Sequence, residues 1–433
     1  MKKIFVSVGL AAVGAAGLPT AFAQGMEAGA TPKIWNVAAN LRGFYDDNYA
    51  VANNKTGSFG FEFTPSISAN VALKQTDIGV KYTFGMFYYL QRADNGMDPM
   101  DYSHQGDFWL DHTFNERFKI NLSDSLAIGQ DPKLVQGGAV VRVQGNNVAN
   151  HATATLNSQW TRQFSTATHY GNNLFIYSNG GTNSPSNPSD AAQLNRMEQS
   201  VGTDFQWHFQ PETMGFVGYN FTWVRYNGNA QIASPFILIN PPKAPRTIHY
   251  YSDARDNNAH YGYVGVQHEF SPNLSSSLKA GVSETDMYND PVSPSTSLAP
   301  YVDFSATYTY IPGCYVQVGV TQDQNATDVV TPGANGHLTQ YQQTSVFYMD
   351  VNHRFTPKLS ASLNTQYQYS TYKDGAYSND TGDSSISTGI NLNYQINRNL
   401  SAQAGYTFDE LFSSINGRGN SRNTVYLGLG ANY

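Results

Sequence analysis

Cysteine is almost absent from this sequence, since Cys314 is the only one among 433 residues. A single cysteine excludes an internal disulfide, and its distance from the N-terminus excludes a lipoprotein anchor. Charged residues are also few, at 13% of the chain, and they give a net charge of −7. An acidic chain of this kind is a poor partner for nucleic acid, so we exclude that function.

Long apolar runs are missing after residue 23. Without a run of about 18 apolar residues, no transmembrane helix is expected there. The N-terminus does contain an apolar run, Ile4–Ala23, which follows Lys2-Lys3 and closes on Ala21-Phe22-Ala23. This pattern is typical of a cleaved secretory signal peptide, residues 1–23, and it leaves residues 24–433 as the exported domain.

Aromatic residues are plentiful by contrast. They make up 13% of the chain and include 29 tyrosines, a combination that is unusual in a soluble domain with so few charges. A membrane-spanning β-barrel accounts for this composition, because its lipid-facing wall is apolar and aromatic residues form girdles at both membrane interfaces.

The C-terminal segment alternates in the same way as such a strand. Its outward positions would be Val425, Leu427, Leu429, Ala431 and the terminal Tyr433. An exported chain that ends on an aromatic, amphipathic strand is typical of outer-membrane barrels. We therefore expect these five residues to form the assembly signal that the barrel-assembly machinery binds.

Short and long connections alternate along the chain. Motifs such as Phe114-Asn-Glu-Arg-Phe118 place two apolar residues four apart around turn formers, and polar stretches separate them. Nine long loops and eight short turns predict an all-β fold: one closed antiparallel transmembrane barrel of about 18 strands. The short turns would be periplasmic and the long loops extracellular. A propeller has a similar repeat length but would not explain the signal peptide or the C-terminal strand.

Strand alternation also predicts which side chains face the lumen. If the apolar positions face lipid, the charged pore-lining candidates are Arg42, Glu62, Lys81, Asp107, Asp111, Lys119, Asp204, Glu269, Lys279, Asp303 and Asp350. Because carboxylates predominate among them, we expect a weak cation preference. A narrow lumen filled by paired charges is the alternative.

Two strands do not follow the pattern. Residues 214–226 are apolar at both parities, so neither face can be assigned. Asp124 falls on the apolar parity of its strand, where a lipid-facing charge would cost up to about 2–4 kcal/mol. We therefore expect a bulge or an early membrane boundary at Asp124.

Four segments resemble a known family. Leu41–Tyr49, Ser58–Pro65, Thr76–Phe84 and His104–Phe118 are similar to the β-barrel porin families of outer-membrane proteins whose functions are poorly known. The resemblance covers most of residues 24–433 and is densest at 35–132. It implies a membrane barrel with porin activity, and it supplies no catalytic or binding residues.

The predicted loop at 227–257 contains an apolar patch, with Phe236, Ile237, Leu238 and Ile239 at its centre. Exposed apolar patches imply burial or a partner. Packing against neighbouring loops, a constriction of the pore and a contact with a surface receptor or lipid all remain open. The loop at 129–149 contains a second β-prone run that could add a pair of short strands.

Catalysis and metal binding have little support. The histidines lie outside any recognisable nucleophile motif, and G-x-S-x-G is absent. No segment has the spacing of a calcium loop, so we expect neither a metal nor a cofactor. Only about ten residues separate residue 23 from the first strand, which leaves no room for an N-terminal plug.

The sequence therefore predicts an outer-membrane porin for passive diffusion of small hydrophilic solutes. Its other partners would be outer-membrane lipid and lipopolysaccharide, and the outward aromatic residues permit a homotrimer. The alternative is a surface barrel that does not conduct and acts as an adhesin, a receptor or a structural protein through its loops.

Overall fold

The computed structural model describes residues 34–129, 135–136, 139–140, 147–178, 188–227, 230–234, 236–237, 246–333, 336–377 and 381–433. The predicted signal peptide, residues 1–23, lies outside these ranges. Among the described residues, no helix is long and apolar enough to cross a membrane.

Eighteen antiparallel strands form one closed sheet, as predicted. Each strand pairs with its neighbours in the chain, and the first strand also pairs with the last. In chain order the strands are β1 (Trp35–Asp46), β2 (Ser58–Ala72), β3 (Thr76–Tyr89), β4 (Met100–Thr113), β5 (Phe118–Gly129), β6 (Asn147–Gln159), β7 (Phe164–Ile176), β8 (Arg196–Gln210), β9 (Thr213–Tyr226), β10 (Asn257–Ser271), β11 (Leu274–Met287), β12 (Ser295–Ile311), β13 (Cys314–Asn325), β14 (Tyr341–Arg354), β15 (Leu359–Lys373), β16 (Gly382–Gln395), β17 (Leu400–Ser413) and β18 (Asn420–Asn432).

The eight short turns contain local hydrogen bonds that their sequences encode. In four of them the second residue accepts backbone N–H groups two and three residues later; these are Asn115, Thr161, Thr356 and Asn397. Asn and Thr side chains favour turns through such bonds. The tighter turn between β12 and β13 uses Gly313, whose φ of 80° suits glycine.

The outer wall follows the predicted alternation. On β18, for example, Val425, Leu427 and Leu429 are exposed by 49%, 68% and 51%. Beside the short turns lies a belt of exposed aromatic residues, namely Phe114, Trp160, Phe209, Phe270 and Phe355. A belt of this kind marks a membrane interface.

The structure shows which face of β9 is outward and how β5 is paired at Asp124, the two points that the sequence left open. On β9, Val217 and Tyr219 are exposed whereas Phe216 is buried, so the odd-numbered residues face outward. The expected bulge or early boundary at Asp124 is wrong. β5 pairs with β4 and β6 in unbroken register through Asp124, which lies near the middle of the strand. A hydrogen bond from Asn150 Nδ2 (2.7 Å) helps this carboxylate to remain on the outer face.

Six inward-facing aromatic rings lie against glycines of neighbouring strands. A Cβ built on Gly79 would lie 2.0 Å from the nearest atom of the Trp109 ring, and a Cβ built on Gly319 would lie 2.2 Å from the Tyr348 ring. The other pairs are Phe44 with Gly60, Phe216 with Gly265, Tyr263 with Gly218, and Tyr426 with Gly405. Because the rings lie along the wall, they cover the glycine backbone.

The long loops carry short elements of their own. Val135–Gln136 pairs with Ala139–Val140, Gln231–Ala233 with Tyr250–Tyr251, and Phe236–Ile237 with Arg246–Thr247. A short helix, Asp190–Leu194, precedes β8. Several strands extend a few residues into the polar stretches that separate the turn motifs, as β4 and β17 do.

Candidate pore and its extracellular cap

All eleven charged pore-lining candidates alternate with the exposed apolar residues of their strands, so they share the inner wall. The cross-strand registers place Arg42 opposite Glu62, Lys81 opposite Asp107, and Lys279 opposite Asp303. Their role in conduction is a separate matter and stays a prediction.

Arg42 is fixed against the inner wall by several groups at once. It is 9% exposed, and its Nη1 lies 3.5 Å from Glu62 Oε2. Its Nε and Nη2 donate to Gln403 Oε1 at 3.2 and 2.8 Å, and its Cζ lies 4.4 Å from the centre of the Tyr426 ring. The positive charge of Arg42 is therefore largely compensated locally.

Several inner-wall carboxylates have neutral hydrogen-bond donors instead. Asp107 accepts from Gln105 at 3.2 Å and from Ser125 at 2.8 Å. Asp111 accepts from Asn121, and Asp204 accepts from the Tyr263 hydroxyl at 2.6 Å. Neutral donors orient a carboxylate without cancelling its charge.

Sequence analysis missed other charged residues of the inner wall. Asp46 pairs with Arg422, whose Nε lies 2.8 Å away, and both side chains are buried. On β8, Arg196 pairs with Glu198 at 2.7 Å, and Asp101 of β4 pairs at 2.7 Å with Arg92 in the loop between β3 and β4. The strand alternation extends to Asp46, Glu198 and Arg422, but these residues lie near strand ends, among polar residues that resemble loops.

Four extracellular loops pack together beyond the ends of the strands. Their shared apolar core contains Ala192, Ile232, Ala233, Ile248, Tyr250, Ala254 and Leu338. The Tyr250 hydroxyl donates to the carbonyl of Gly336 at 2.5 Å, which joins the β9–β10 loop to the β13–β14 loop. We call this assembly the extracellular cap: described residues 188–195, 230–256, 288–294 and 326–340.

Arg255 holds three of these segments together. It is 1% exposed, donates from Nη1 to the carbonyl of Gln193 at 2.8 Å and from Nη2 to the carbonyl of Thr327 at 2.5 Å. Its Cζ also lies 4.6 Å from the centre of the Tyr226 ring. Burial lowers the pKa of this guanidinium, although an arginine keeps its charge at neutral pH.

Arg418 ties the cap to the last extracellular loop. Its Nη1 and Nη2 donate to the two oxygens of Asp328 at 2.8 and 2.7 Å, and its Nε donates to Asp383 at 2.7 Å. On the cap's other side, Gln340 Nε2 donates to Asp290 Oδ2 at 2.7 Å. The loops at the mouth are thus joined by apolar packing, hydrogen bonds and ion pairs.

The constriction-loop candidates divide into two groups. Phe236 and Ile237 form the short strand paired with Arg246–Thr247, while Leu238 and Ile239 lie outside the described residues. Other residues of the same loop, including Ile232 and Tyr250, pack against neighbouring loops. A constricting role for the four candidates therefore stays a prediction.

Three of the histidines near the short turns have an ordinary explanation. His112, His268 and His353 face outward, each edge-on to the Phe two residues later, with ring centres 4.4–4.5 Å apart. They belong to the aromatic belt and not to the inner wall. Within the described ranges, no group of three or more His, Cys, Asp or Glu residues is placed to hold a metal ion.

The closed 18-strand barrel, its aromatic belt and its polar inner wall define the class of protein: an outer-membrane β-barrel of the porin type. The family model described as Putative beta-barrel porin 2 matches residues 23–433, so the chain belongs to this family. This match confirms the family resemblance of the sequence. No curated protein matches the chain.

Solved barrels from other bacteria show similarity at low sequence identity. The BenF-like porin of Pseudomonas fluorescens Pf-5 is 10% identical, with 92% of this chain and 99% of that chain covered and a TM-score of 0.46. Pseudomonas aeruginosa OccK9 is 13% identical, with 92% and 98% covered and a TM-score of 0.44. Acinetobacter baumannii OccAB4 is 11% identical, with 93% and 99% covered and a TM-score of 0.42.

Proposed function

We propose that this protein is a channel for passive diffusion of small hydrophilic solutes, with a mild preference for cations. The observation that carries the proposal is the acidic surplus on the inner wall. The described strands carry fourteen inward carboxylates and only seven inward bases. The carboxylates are Asp46, Glu62, Asp77, Asp101, Asp107, Asp111, Glu198, Asp204, Glu269, Asp303, Asp323, Asp350, Asp383 and Asp409. The bases are Arg42, Lys81, Lys119, Arg196, Lys279, Arg354 and Arg422.

Ion pairs leave part of this surplus uncompensated. Three of the inward arginines, Arg42, Arg196 and Arg422, contact carboxylates of the wall, and two loop arginines, Arg92 and Arg418, contact Asp101 and Asp383. Asp111 and Asp204 instead accept hydrogen bonds from neutral donors, which do not cancel their charge. Rings of carboxylates raise the local concentration of cations in a pore, so K⁺ should pass more readily than Cl⁻.

The experiment is planar-bilayer conductance of the refolded protein in a KCl gradient. We expect stable open steps and a reversal potential that reports a modest K⁺ preference. A clear Cl⁻ preference would overturn the acidic-wall argument. A folded barrel with no conductance would overturn the channel.

A second function is favoured by the extracellular cap. Loops that leave the barrel six strands apart meet through Arg255, Gln193 and Thr327. If this contact closes the mouth, the protein is a non-conducting surface barrel that acts as an adhesin, receptor or structural protein. Replacing residues 230–233 and residues 248–256, each by a short Gly-Ser linker, distinguishes the open channel from the capped barrel. Conductance that appears only in this variant would favour a capped barrel, and unchanged conductance would favour an open channel.

The proposal includes a route of export and further partners. Residues 1–23 would direct secretion and be cleaved, leaving residues 24–433 in the outer membrane beside lipid and lipopolysaccharide. The strand that carries Val425, Leu427 and Leu429, with Ala431 and Tyr433, would be bound by the barrel-assembly machinery. The protein would act as a homo-oligomer, of which a homotrimer is one form that the outward aromatic residues permit, and diffusion would require neither catalysis nor a cofactor.

A further inference from the structure

Polar side chains cross the outer wall on four neighbouring strands. In the strand registers, adjacent outward positions of β5, β6, β7 and β8 are Asp124, Ala152, Asn172 and Gln199. Asn150 donates from β6 to Asp124, and Gln199 Nε2 lies 3.2 Å from Asn172 Oδ1. We call Asp124, Asn150, Asn172 and Gln199 the polar row.

Asp124 lies where lipid tails would be expected, and the amides of the polar row extend from it toward the extracellular ends of β6 and β8. Asp124 is near the middle of β5, well above the aromatic belt at the short turns. The other outward carboxylates of the described strands, Glu284, Asp286 and Glu410, lie close to the extracellular ends of β11 and β17. Acyl chains offer no hydrogen bonds, so a carboxylate at the depth of Asp124 is better matched by protein than by lipid.

We infer that the outer face of β5–β8 meets the same face of a second copy of this chain, related by a twofold axis along the membrane normal; this inference rests on the proposed homo-oligomer and gives the location of its contact. The polar row contains both an acceptor, the Asp124 carboxylate, and amide groups that donate and accept. A copy related by rotation about the membrane normal presents the same groups at the same depth.

The centre of this face is suited to close approach. β6 carries Ala152 and Ala154 outward between the larger residues of β5 and β7. Small residues allow two membrane-embedded walls to approach until their polar groups meet. By contrast, the outer wall of β18 exposes Val425, Leu427 and Leu429, which suit lipid.

The test introduces single cysteines into the full protein in proteoliposomes and applies an oxidant. The native Cys314 is buried, which keeps it from competing. We expect Ala152→Cys to give a covalent product of twice the chain mass, and Leu427→Cys, on β18, to give at least tenfold less. No product from Ala152→Cys, or equal yields from both positions, overturns the interface.

A second measurement does not depend on the cysteine geometry. Single-molecule photobleaching in bilayers counts the copies of the labelled protein per spot. We expect Asp124→Leu with Asn172→Leu to keep the barrel folded and to raise the dissociation constant between copies at least tenfold. Unchanged association, or a monomeric parent protein, overturns the inference. Conductance recorded in the same bilayers tests the proposed channel separately.

Discussion

Arg418 and Asp328 form a two-point ion pair, at 2.8 and 2.7 Å, between loops that belong to distant pairs of strands. The contact spans 90 positions of the sequence, and Arg418 also holds Asp383. One side chain therefore links the extracellular cap both to the last loop and to the rim of the barrel.

Removal of this link should loosen the cap. Arg418→Ala leaves two partly buried carboxylates without their cation, and breaking such a pair costs about 3 kcal/mol. We expect faster proteolysis of the β13–β14 loop and larger or more frequent open steps in planar bilayers, while the barrel itself remains folded.

A matched control is available in the first extracellular loop. Lys55 pairs with Asp47 at 2.8 Å, but its side chain is 40% exposed. Exposed ion pairs contribute about 0–1 kcal/mol, so Lys55→Ala should leave both readouts nearly unchanged. If Arg418→Ala behaves like Lys55→Ala, the ion pair does not hold the cap.

The acidic wall predicts a graded change in ion selectivity. Asp204→Asn and Asp350→Asn remove carboxylate charge while keeping side-chain size, and together they should lower the K⁺/Cl⁻ permeability ratio by roughly twofold. Lys81→Gln should raise the same ratio, because it removes a positive charge from the inner wall. Reversal potentials in a salt gradient measure both effects. If the Asp→Asn and Lys→Gln variants shifted the permeability ratio in the same direction, the acidic inner wall would not set the selectivity.

The strands of this fold can be predicted from its sequence because successive side chains alternate between the outer and the inner face of the barrel wall. Lys81 and Asp107 could be assigned to the inner wall from the apolar residues around them, and they lie opposite each other in the structure. Asp383 was missed because the polar residues near it resemble a loop. It nevertheless lies in β16 and faces inward.

The cap could not be predicted in the same way. Arg255 contacts Gln193 and Thr327, 62 and 72 positions away, and no local period links these residues. Asp124 was misjudged for a related reason: its partner, Asn150, lies on the next strand, so the sequence displayed only an isolated charge on an apolar face.

The aromatic rings of the inner wall make a prediction about stability. At Gly319, an added Cβ would lie 2.2 Å from the Tyr348 ring, so Gly319→Ala should destabilise the barrel by about 1–3 kcal/mol. Urea titration of the refolded protein, followed by its gel mobility without heating, measures this loss. Gly106→Ala is the control, because nothing lies within 4 Å of the added group. Tyr348→Ala combined with Gly319→Ala should recover part of the loss, and equal effects at Gly106 and Gly319 would refute the steric explanation.

Two carboxylates outside the strands should respond to pH in opposite directions. Burial, and then the nearby Asp328, raise the pKa of Asp190 above its ordinary value of 3.8. Burial also acts to raise the pKa of Asp47, but hydrogen bonds from Lys55 and Asn423 outweigh it and leave that pKa lowered. The packed form of the loop therefore favours the protonated form of Asp190 and the charged form of Asp47.

These pKa shifts determine whether each variant stabilises or destabilises its loop at pH 7. The contribution of Asp190 is complete below pH 3.8 and is lost as the pH rises through its raised pKa, so Asp190→Asn should stabilise the cap at pH 7. The contribution of Asp47 is present above pH 3.8 and is lost as the pH falls through its lowered pKa, so Asp47→Asn should loosen the first loop at pH 7. Hydrogen exchange of the two loops, corrected for intrinsic rates, measures both differences between pH 3 and pH 7. Each variant should approach the parent protein at pH 3, and a stabilising effect of Asp47→Asn at pH 7 would contradict the assignment.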